Sequence, residues 1–249
     1  MRVTILGAGT AIPQARRSPA GLLLQLRRAA WLLDAGPGTI QRADAAGVSP
    51  SDVDRVFLTH FHLDHCLDIA ALLFARRIPG TARNPLTVYG PRGLTTLYRR
   101  LNAAFHGWLS PRGSRLILKE LGEATLRLGG ATVRSRWMSH STPALGYRIE
   151  AEGSCVAYSG DTDVCDAVIE LGRGADALIL ECSMPEARKV AGHLTPTECG
   201  RIAAAAGCRH LVLTHFYPVF AGCDIRARVR RVFRGSLTLA RDFTVCSLS

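Results

Sequence analysis

The sequence predicts an α/β fold of stacked layers, and three observations support this. Short apolar runs ended by small or polar residues recur along the chain, at 3–6, 21–26, 31–33, 55–58, 86–89, 131–134, 146–150, 155–157, 177–180 and 210–213. Helix-like segments at 68–77, 93–102 and 197–206 lie between them. Of the 249 residues, 47% are apolar, enough for a sizeable core. Strands mixed with helices throughout are the pattern of layered α/β domains. No linker or low-complexity stretch divides the chain, so we expect one domain over residues 1–249.

The apolar runs read as strands because Gly and Pro punctuate the intervals between them. The first, Val3-Thr4-Ile5-Leu6, ends in Gly7-Ala8-Gly9-Thr10. Without a dinucleotide-fold context those glycines are a weak phosphate-loop signal. The helix at 197–206 follows Thr195-Pro196, a residue suited to the N-cap and a proline at the first helical position. One echo is visible: Val56-Phe57-Leu58-Thr59-His60-Phe61 resembles Leu211-Val212-Leu213-Thr214-His215-Phe216. Each is an apolar strand delivering a histidine.

The densest chemistry lies in Thr59-His60-Phe61-His62-Leu63-Asp64-His65, which holds three of the eight histidines. Neutral imidazoles and carboxylates are ligands for zinc and similar divalent ions. If the backbone leaves a strand here, His60 and His62 project together, since strand side chains repeat every second residue. Asp64 and His65 then fall on the following turn, free to serve a second ion. So many ligands in one short segment point to two metals side by side.

The pattern His-x-His-x-Asp-His resembles the signature of the metallo-β-lactamase superfamily. The likeness extends from Val3 to His215, through His140 in Met138-Ser139-His140, Asp161 in Ser159-Gly160-Asp161 and His215 in Leu213-Thr214-His215. It implies a four-layer αββα sandwich with two similar halves and the metals along their shared edge. It also implies one ion on His60, His62 and His140, a second on Asp64, His65 and His215, and Asp161 bridging them. Asp34, in Leu33-Asp34-Ala35-Gly36, resembles a recurrent aspartate near the site. A partner for a metal histidine or a cap for the following turn are both open to it. The 7–10 segment would form a tight turn beside the cleft.

Two cations about 3.5–4 Å apart lower the pKa of a shared water to near neutrality, so hydrolysis by a metal-bridging hydroxide is the expected reaction class. Glu181, ending the run 177–180, and His193, ahead of the helix at 197–206, match the leaving-group acid pair of the ribonuclease Z branch. By the same likeness Asp64 accepts a proton from the attacking water. Full ribonuclease Z enzymes carry a protruding tRNA-binding arm between the third histidine and the bridging aspartate. Here about twenty residues separate His140 from Asp161, room for a hairpin only. We therefore expect a ribonuclease Z-like phosphodiesterase acting on an anionic diester, either a small molecule or a nucleic acid, without the RNA arm. A metallo-hydrolase of another ester class (lactone, thioester or sulfate ester) is the alternative, followed by a non-catalytic binding protein. Zinc is the expected ion, with manganese and iron compatible.

Composition narrows the setting. The formal net charge is +11, almost all of it arginine, since Lys119 and Lys189 are the only lysines. Because the arginines are dispersed, this supports an anionic substrate only modestly; the group from Arg226 to Arg234 reads equally as a solvated helix face. No stretch of about eighteen apolar residues predicts a membrane span, and the start of the chain lacks the features of a secretory leader. The eight cysteines form no Cys-x-x-Cys pair, and reduced thiols are expected. Together these point to a cytoplasmic protein. Relatives of ribonuclease Z are often dimers, so a homodimer is also expected.

Overall fold

The structure, a computed structural model, describes residues 1–78, 84–220 and 222–248. The first half of the chain runs β1 (Arg2–Gly7), β2 (Gly21–Leu26), β3 (Ala29–Leu33), α1 (Thr39–Ala45), β4 (Val53–Phe57), α2 (Leu63–Cys66), α3 (Ile69–Ala75), β5 (Leu86–Pro91), α4 (Leu94–Ala104) and β6 (Leu116–Leu121). The second half runs β7 (Ala124–Leu128), β8 (Ala131–Met138), β9 (Ala144–Ala151), β10 (Ser154–Tyr158), α5 (Asp166–Gly172), β11 (Ala177–Glu181), α6 (Pro196–Ala206), β12 (His210–Thr214), α7 (Ile225–Arg230) and β13 (Ser236–Leu239). Strand β14 (Thr244–Ser247) then returns to the first sheet.

Two seven-stranded sheets result, ordered β14-β1-β2-β3-β4-β5-β6 and β13-β12-β11-β10-β9-β8-β7. Three antiparallel pairings followed by three parallel ones build each of them: β14 to β3 then β3 to β6, and β7 to β10 then β10 to β13. The halves therefore share one topology, in which β3 corresponds to β10, β4 to β11 and β5 to β12. The sequence echo joins β4 to β12, which are not equivalent strands, so it is not the imprint of this repetition.

Alternation along the strands makes the layers. Val3, Ile5, Leu22, Leu24, Trp31 and Leu33 face Val133, Tyr147, Ile149, Val156 and Ile179 between the sheets. Leu23, Leu32 and Val56 turn outward to meet Ile40 of α1, Leu72 of α3 and Leu94 of α4. On the other side Leu178, Leu180, Leu211 and Leu213 meet Val168, Ile202 and Val229 of α5, α6 and α7. Central strands covered on both faces must be apolar at nearly every position, which is why they read as continuous runs. The order of layers is helix, sheet, sheet, helix.

Several elements lie outside the sequence reading: the edge strands β6, β7, β13 and β14 and the short helices α1 and α5. The residues of β6 and β7 are only partly buried, and Lys119, Glu120 and Arg127 interrupt them, so at most the short run Leu116-Ile117-Leu118 marks β6. At α6 the expectation holds in detail: Thr195 and Glu198 form a reciprocal capping box ahead of Pro196. Arg76, one of the dispersed basic residues, is fully buried and donates to the carbonyls of Pro50 at 2.9 Å and Val53 at 3.0 Å. Among the described residues no helix is long and apolar enough to cross a membrane. All eight cysteines are free thiols.

Candidate metal centre

The functional side chains gather at the C-terminal ends of the parallel strands, as is usual for open α/β sheets. Asp34 follows β3, His60 follows β4, Asp161 follows β10, Glu181 ends β11 and His215 follows β12. The chain leaves its strand just ahead of His60, because β4 stops at Phe57. Both histidines lie in the segment that links β4 to α2, where His62 is the extended N-cap residue. Asp64 and His65 occupy α2 itself rather than a turn. One helical turn after an extended entry still folds all four side chains toward one another.

Two clusters of candidate ligands form. In the first, His60 Nε2 lies 3.0 Å from His62 Nδ1 and 3.9 Å from Asp161 Oδ2. His140 Nε2 lies 3.4 Å from His62 Nδ1 and 4.0 Å from Asp161 Oδ2. In the second, His65 Nε2 lies 3.1 Å from His215 Nε2 and 3.4 Å from Asp161 Oδ1, and Asp64 Oδ2 lies 3.4 Å from His215 Nε2. Asp161 thus turns one oxygen to each cluster. A tetrahedral ion with ligands about 2.0–2.1 Å away spaces those ligands roughly 3.3 Å apart, so both clusters have the dimensions of a divalent-cation cage. Oδ1 of Asp161 is buried with no hydrogen-bond donor, a costly state for a carboxylate that a cation would relieve.

Charge and tautomer fit the same use. Burial, then the neighbouring His65, pushes the His60 ring well below the ordinary histidine pKa, and His62 is lowered by burial and His140, leaving both as neutral donors. Burial opposes ionisation of Asp161, yet His215, His65 and His60 hold its carboxyl well below the usual range. The second ring nitrogen of most ligands is engaged: His65 Nδ1 by Asp34 at 2.7 Å, His140 Nδ1 by the Gly192 carbonyl at 2.9 Å, His215 Nδ1 by Ser183 Oγ at 2.9 Å and His60 Nδ1 by Thr59 Oγ1 at 3.0 Å. Such partners fix which nitrogen faces the ion.

Asp34 takes the partner role rather than the turn cap. It is fully buried and accepts from Thr59 N, Thr59 Oγ1 and Tyr158 OH as well as from His65. It sits at φ 59°, in the left-handed region where aspartate is one of the few tolerated side chains. His215 is also left-handed, at φ 58°. Gly160, at φ 58°, lets the Asp161 loop approach Thr59, where a Cβ would come within 2.7 Å of the Thr59 side chain.

Beside the clusters, His193 Nδ1 lies 3.0 Å from Glu181 Oε1. Glu181 is buried, its oxygens further held by the backbone N–H of Thr162 at 2.9 Å and of Leu194 at 3.2 Å. Burial works against protonation of His193, but the Glu181 hydrogen bond and charge raise its pKa. Lys189 steadies this loop, donating to the His193 carbonyl and to Asp163 and Glu198. Four contributors escaped the sequence reading: Tyr158, Ser183, Gly192 and Tyr217. Tyr158 and Ser183 each lie within three residues of a residue already singled out, so proximity was the available signal. The Tyr217 ring lies 6.1 Å from that of His193 and 5.9 Å from that of His215, and among the described residues nothing hydrogen-bonds its hydroxyl.

Residues 30–216 match the family model described as the β-lactamase superfamily domain. The chain belongs to the metallo-β-lactamase superfamily. Within it, the ribonuclease Z of Mycobacterium bovis is 30% identical over 269 aligned residues, covering 97% of this chain and 96% of that protein. An uncharacterised protein of Mycobacterium tuberculosis is 32% identical, covering 94% and 88%. Among solved structures, the metallo-β-lactamase fold protein YhfI of Bacillus subtilis superposes with TM-score 0.85 at 26% identity, covering 98% of each chain. The human short-form tRNase Z gives TM-score 0.84 at 25% identity, covering 100% of each. This superfamily member is an enzyme of the ribonuclease Z-like branch. Between His140 and Asp161 it has only β9, β10 and the two-residue turn Glu152-Gly153, whose φ of 54° and 78° make a tight hairpin. The arm is absent there.

Proposed function

We propose that this superfamily member is a dinuclear metal-dependent phosphodiesterase. His60, His62 and His140 would hold one cation and Asp64, His65 and His215 the other, with Asp161 between the two groups and available to both. When bound, a pair of divalent cations supplies Lewis acidity toward a phosphoryl oxygen and lowers the pKa of an attacking water. The nitrogen-rich ligand set favours zinc, and manganese or iron is compatible.

The chain's own residues do the remaining work. Asp64, buried but for a tenth of its side chain at the edge of the second cluster, accepts the proton lost by the attacking water. Glu181 fixes His193 through Nδ1 at 3.0 Å, leaving Nε2 to protonate the departing oxygen. The observation that carries the reading is this acid pair, a half-buried His193 on a buried Glu181, 3.9 Å from Asp161 through His193 Nδ1. A departing alkoxide needs such a proton, and general acids contribute typically about 10²–10⁴-fold; a thioester, whose thiolate departs more readily, makes a weaker demand. The substrate is an anionic diester, a small molecule or a nucleic acid, reached without an arm.

Metal analysis after reconstitution with zinc or manganese, joined to a panel of aryl phosphodiesters, precursor tRNA, lactones, thioesters and sulfate esters, tests this. Two ions per chain and diester cleavage are expected. Turnover confined to the other esters would move the protein to another hydrolase class, and two bound ions without any turnover would make it a binding protein.

A further inference from the structure

Trp137 is 39% exposed beside the candidate centre, and the mechanism above does not use it. It sits at the end of β8, three residues before His140, and Pro143 stands three residues after, so both flank the loop that presents this ligand. They line an open groove of about 570 Å³ with Arg92, Glu120, Leu121 and Gly122. The far wall is tied to the centre as well. Phe61, between His60 and His62, packs near Gly90 and Gly93, where a Cβ would meet its ring at 3.4 and 3.6 Å, and Arg92 lies between those glycines. One wall of the groove thus flanks the loop that carries His140, and the other packs on Phe61 of the segment that carries His60 and His62.

Its chemistry is selective. The indole edge rests on Gly122, where a Cβ would lie 3.5 Å from Cζ2. Arg92 is exposed beside Glu120, whose carboxyl is lowered chiefly by its hydrogen bonds to Thr95 and in smaller part by the Arg92 charge. Glu120 already accepts from the Thr95 backbone N–H at 2.9 Å. An exposed indole offers a face on which a base stacks, and an exposed guanidinium a planar fork for phosphate. We infer that this groove binds the nucleoside flanking the scissile phosphate, with the base on Trp137 and the phosphate charge met by Arg92. The inference rests on the phosphodiesterase reading and names its substrate class as nucleotidyl diesters.

The test compares thymidine 5′-p-nitrophenyl phosphate with methyl p-nitrophenyl phosphate, which has nothing to place in the groove. For Trp137→Ala and Arg92→Ala, kcat/KM on the nucleotidyl diester falls by at least about fivefold, and on the methyl diester it changes by less than about twofold. Trp137→Phe, which keeps a stacking face, retains most of the nucleotidyl activity. Equal losses on both substrates, or none on either, overturn the inference and leave the diesterase reading intact. Binding gives a second readout: adenosine 3′,5′-bisphosphate quenches tryptophan fluorescence in the wild type but not in Trp137→Phe. Quenching without hydrolysis of either diester sinks the diesterase reading and keeps the nucleoside site; no quenching sinks the site. Tighter binding of a short single-stranded RNA identifies a strand as the source of the nucleoside, and equal binding a nucleotide-sized substrate; both support the groove.

Discussion

Replacing Asp34 by Asn tests whether the second ligand cluster is held in place from behind. Its carboxylate is buried and accepts four hydrogen bonds: Thr59 N at 2.7 Å on one oxygen, and His65 Nδ1 at 2.7 Å, Tyr158 OH at 2.8 Å and Thr59 Oγ1 at 2.9 Å on the other. Asparagine keeps the shape and tolerates the left-handed backbone, so conformational strain is not introduced. Its amide nitrogen, however, must face a donor in either orientation. Facing Thr59 N it leaves one buried N–H unpaired; facing the other way it opposes three donors. Losing one charge-assisted bond, and stranding its donor, costs roughly 2–5 kcal/mol. Because His65 loses the group that fixes its tautomer, metal affinity falls about 10–100-fold. Urea unfolding with and without zinc, and zinc titration against a competing chelator, measure the two effects. An unfolding free energy within about 0.5 kcal/mol of wild type, with unchanged affinity, would refute this account of Asp34.

Further outcomes follow from the same geometry. His193→Ala lowers kcat about 10²–10⁴-fold on diesters with alkoxide leaving groups and far less on p-nitrophenyl esters, whose phenolate departs unaided; uniform loss across both would contradict the acid role. Gly160→Ala, at φ 58° with its Cβ 2.7 Å from the Thr59 side chain, loses more stability in thermal unfolding than Gly153→Ala, at φ 78° with open space around it. The difference reflects the Thr59 clash, since both pay about 1–3 kcal/mol for strain. Burial raises the thiols of Cys66 to about 12 and of Cys155 and Cys208 to about 11. Alkylation of the native protein therefore marks the partly exposed Cys165 and Cys223 first; rapid labelling of Cys66 would show that the α2 region opens.

The candidate ligands were legible because the chemistry demands rare residues. No apolar core or solvated loop has reason to gather His60, His62, Asp64 and His65 in one segment. His140, Asp161 and His215 could be placed only through the resemblance, since nothing local distinguishes His140 from His210, which instead bonds Thr238 Oγ1 at 2.8 Å away from the centre. The central strands were legible because burial on both faces leaves continuous apolar runs. Edge strands β6 and β7 were not, because one open side lets polar residues in. Tyr158 was hidden for a different reason. Its ring packs in the inter-sheet core like any apolar residue, and only its hydroxyl reaches across to Asp34.

The shared topology of the two halves has a thermodynamic consequence. Asp34 and Asp161 stand at equivalent addresses after β3 and β10, yet one steadies a histidine while the other faces both clusters. Each proposed ion draws on both halves: His60 and His62 with His140 and Asp161, or Asp64 and His65 with His215 and Asp161. Neither half owns a complete cage. Ion occupancy and the docking of one sheet on the other then become a single linked equilibrium, in which every gain in affinity is equally a gain in cohesion. Chelation would loosen the seam between the sheets before it disturbed either sheet alone.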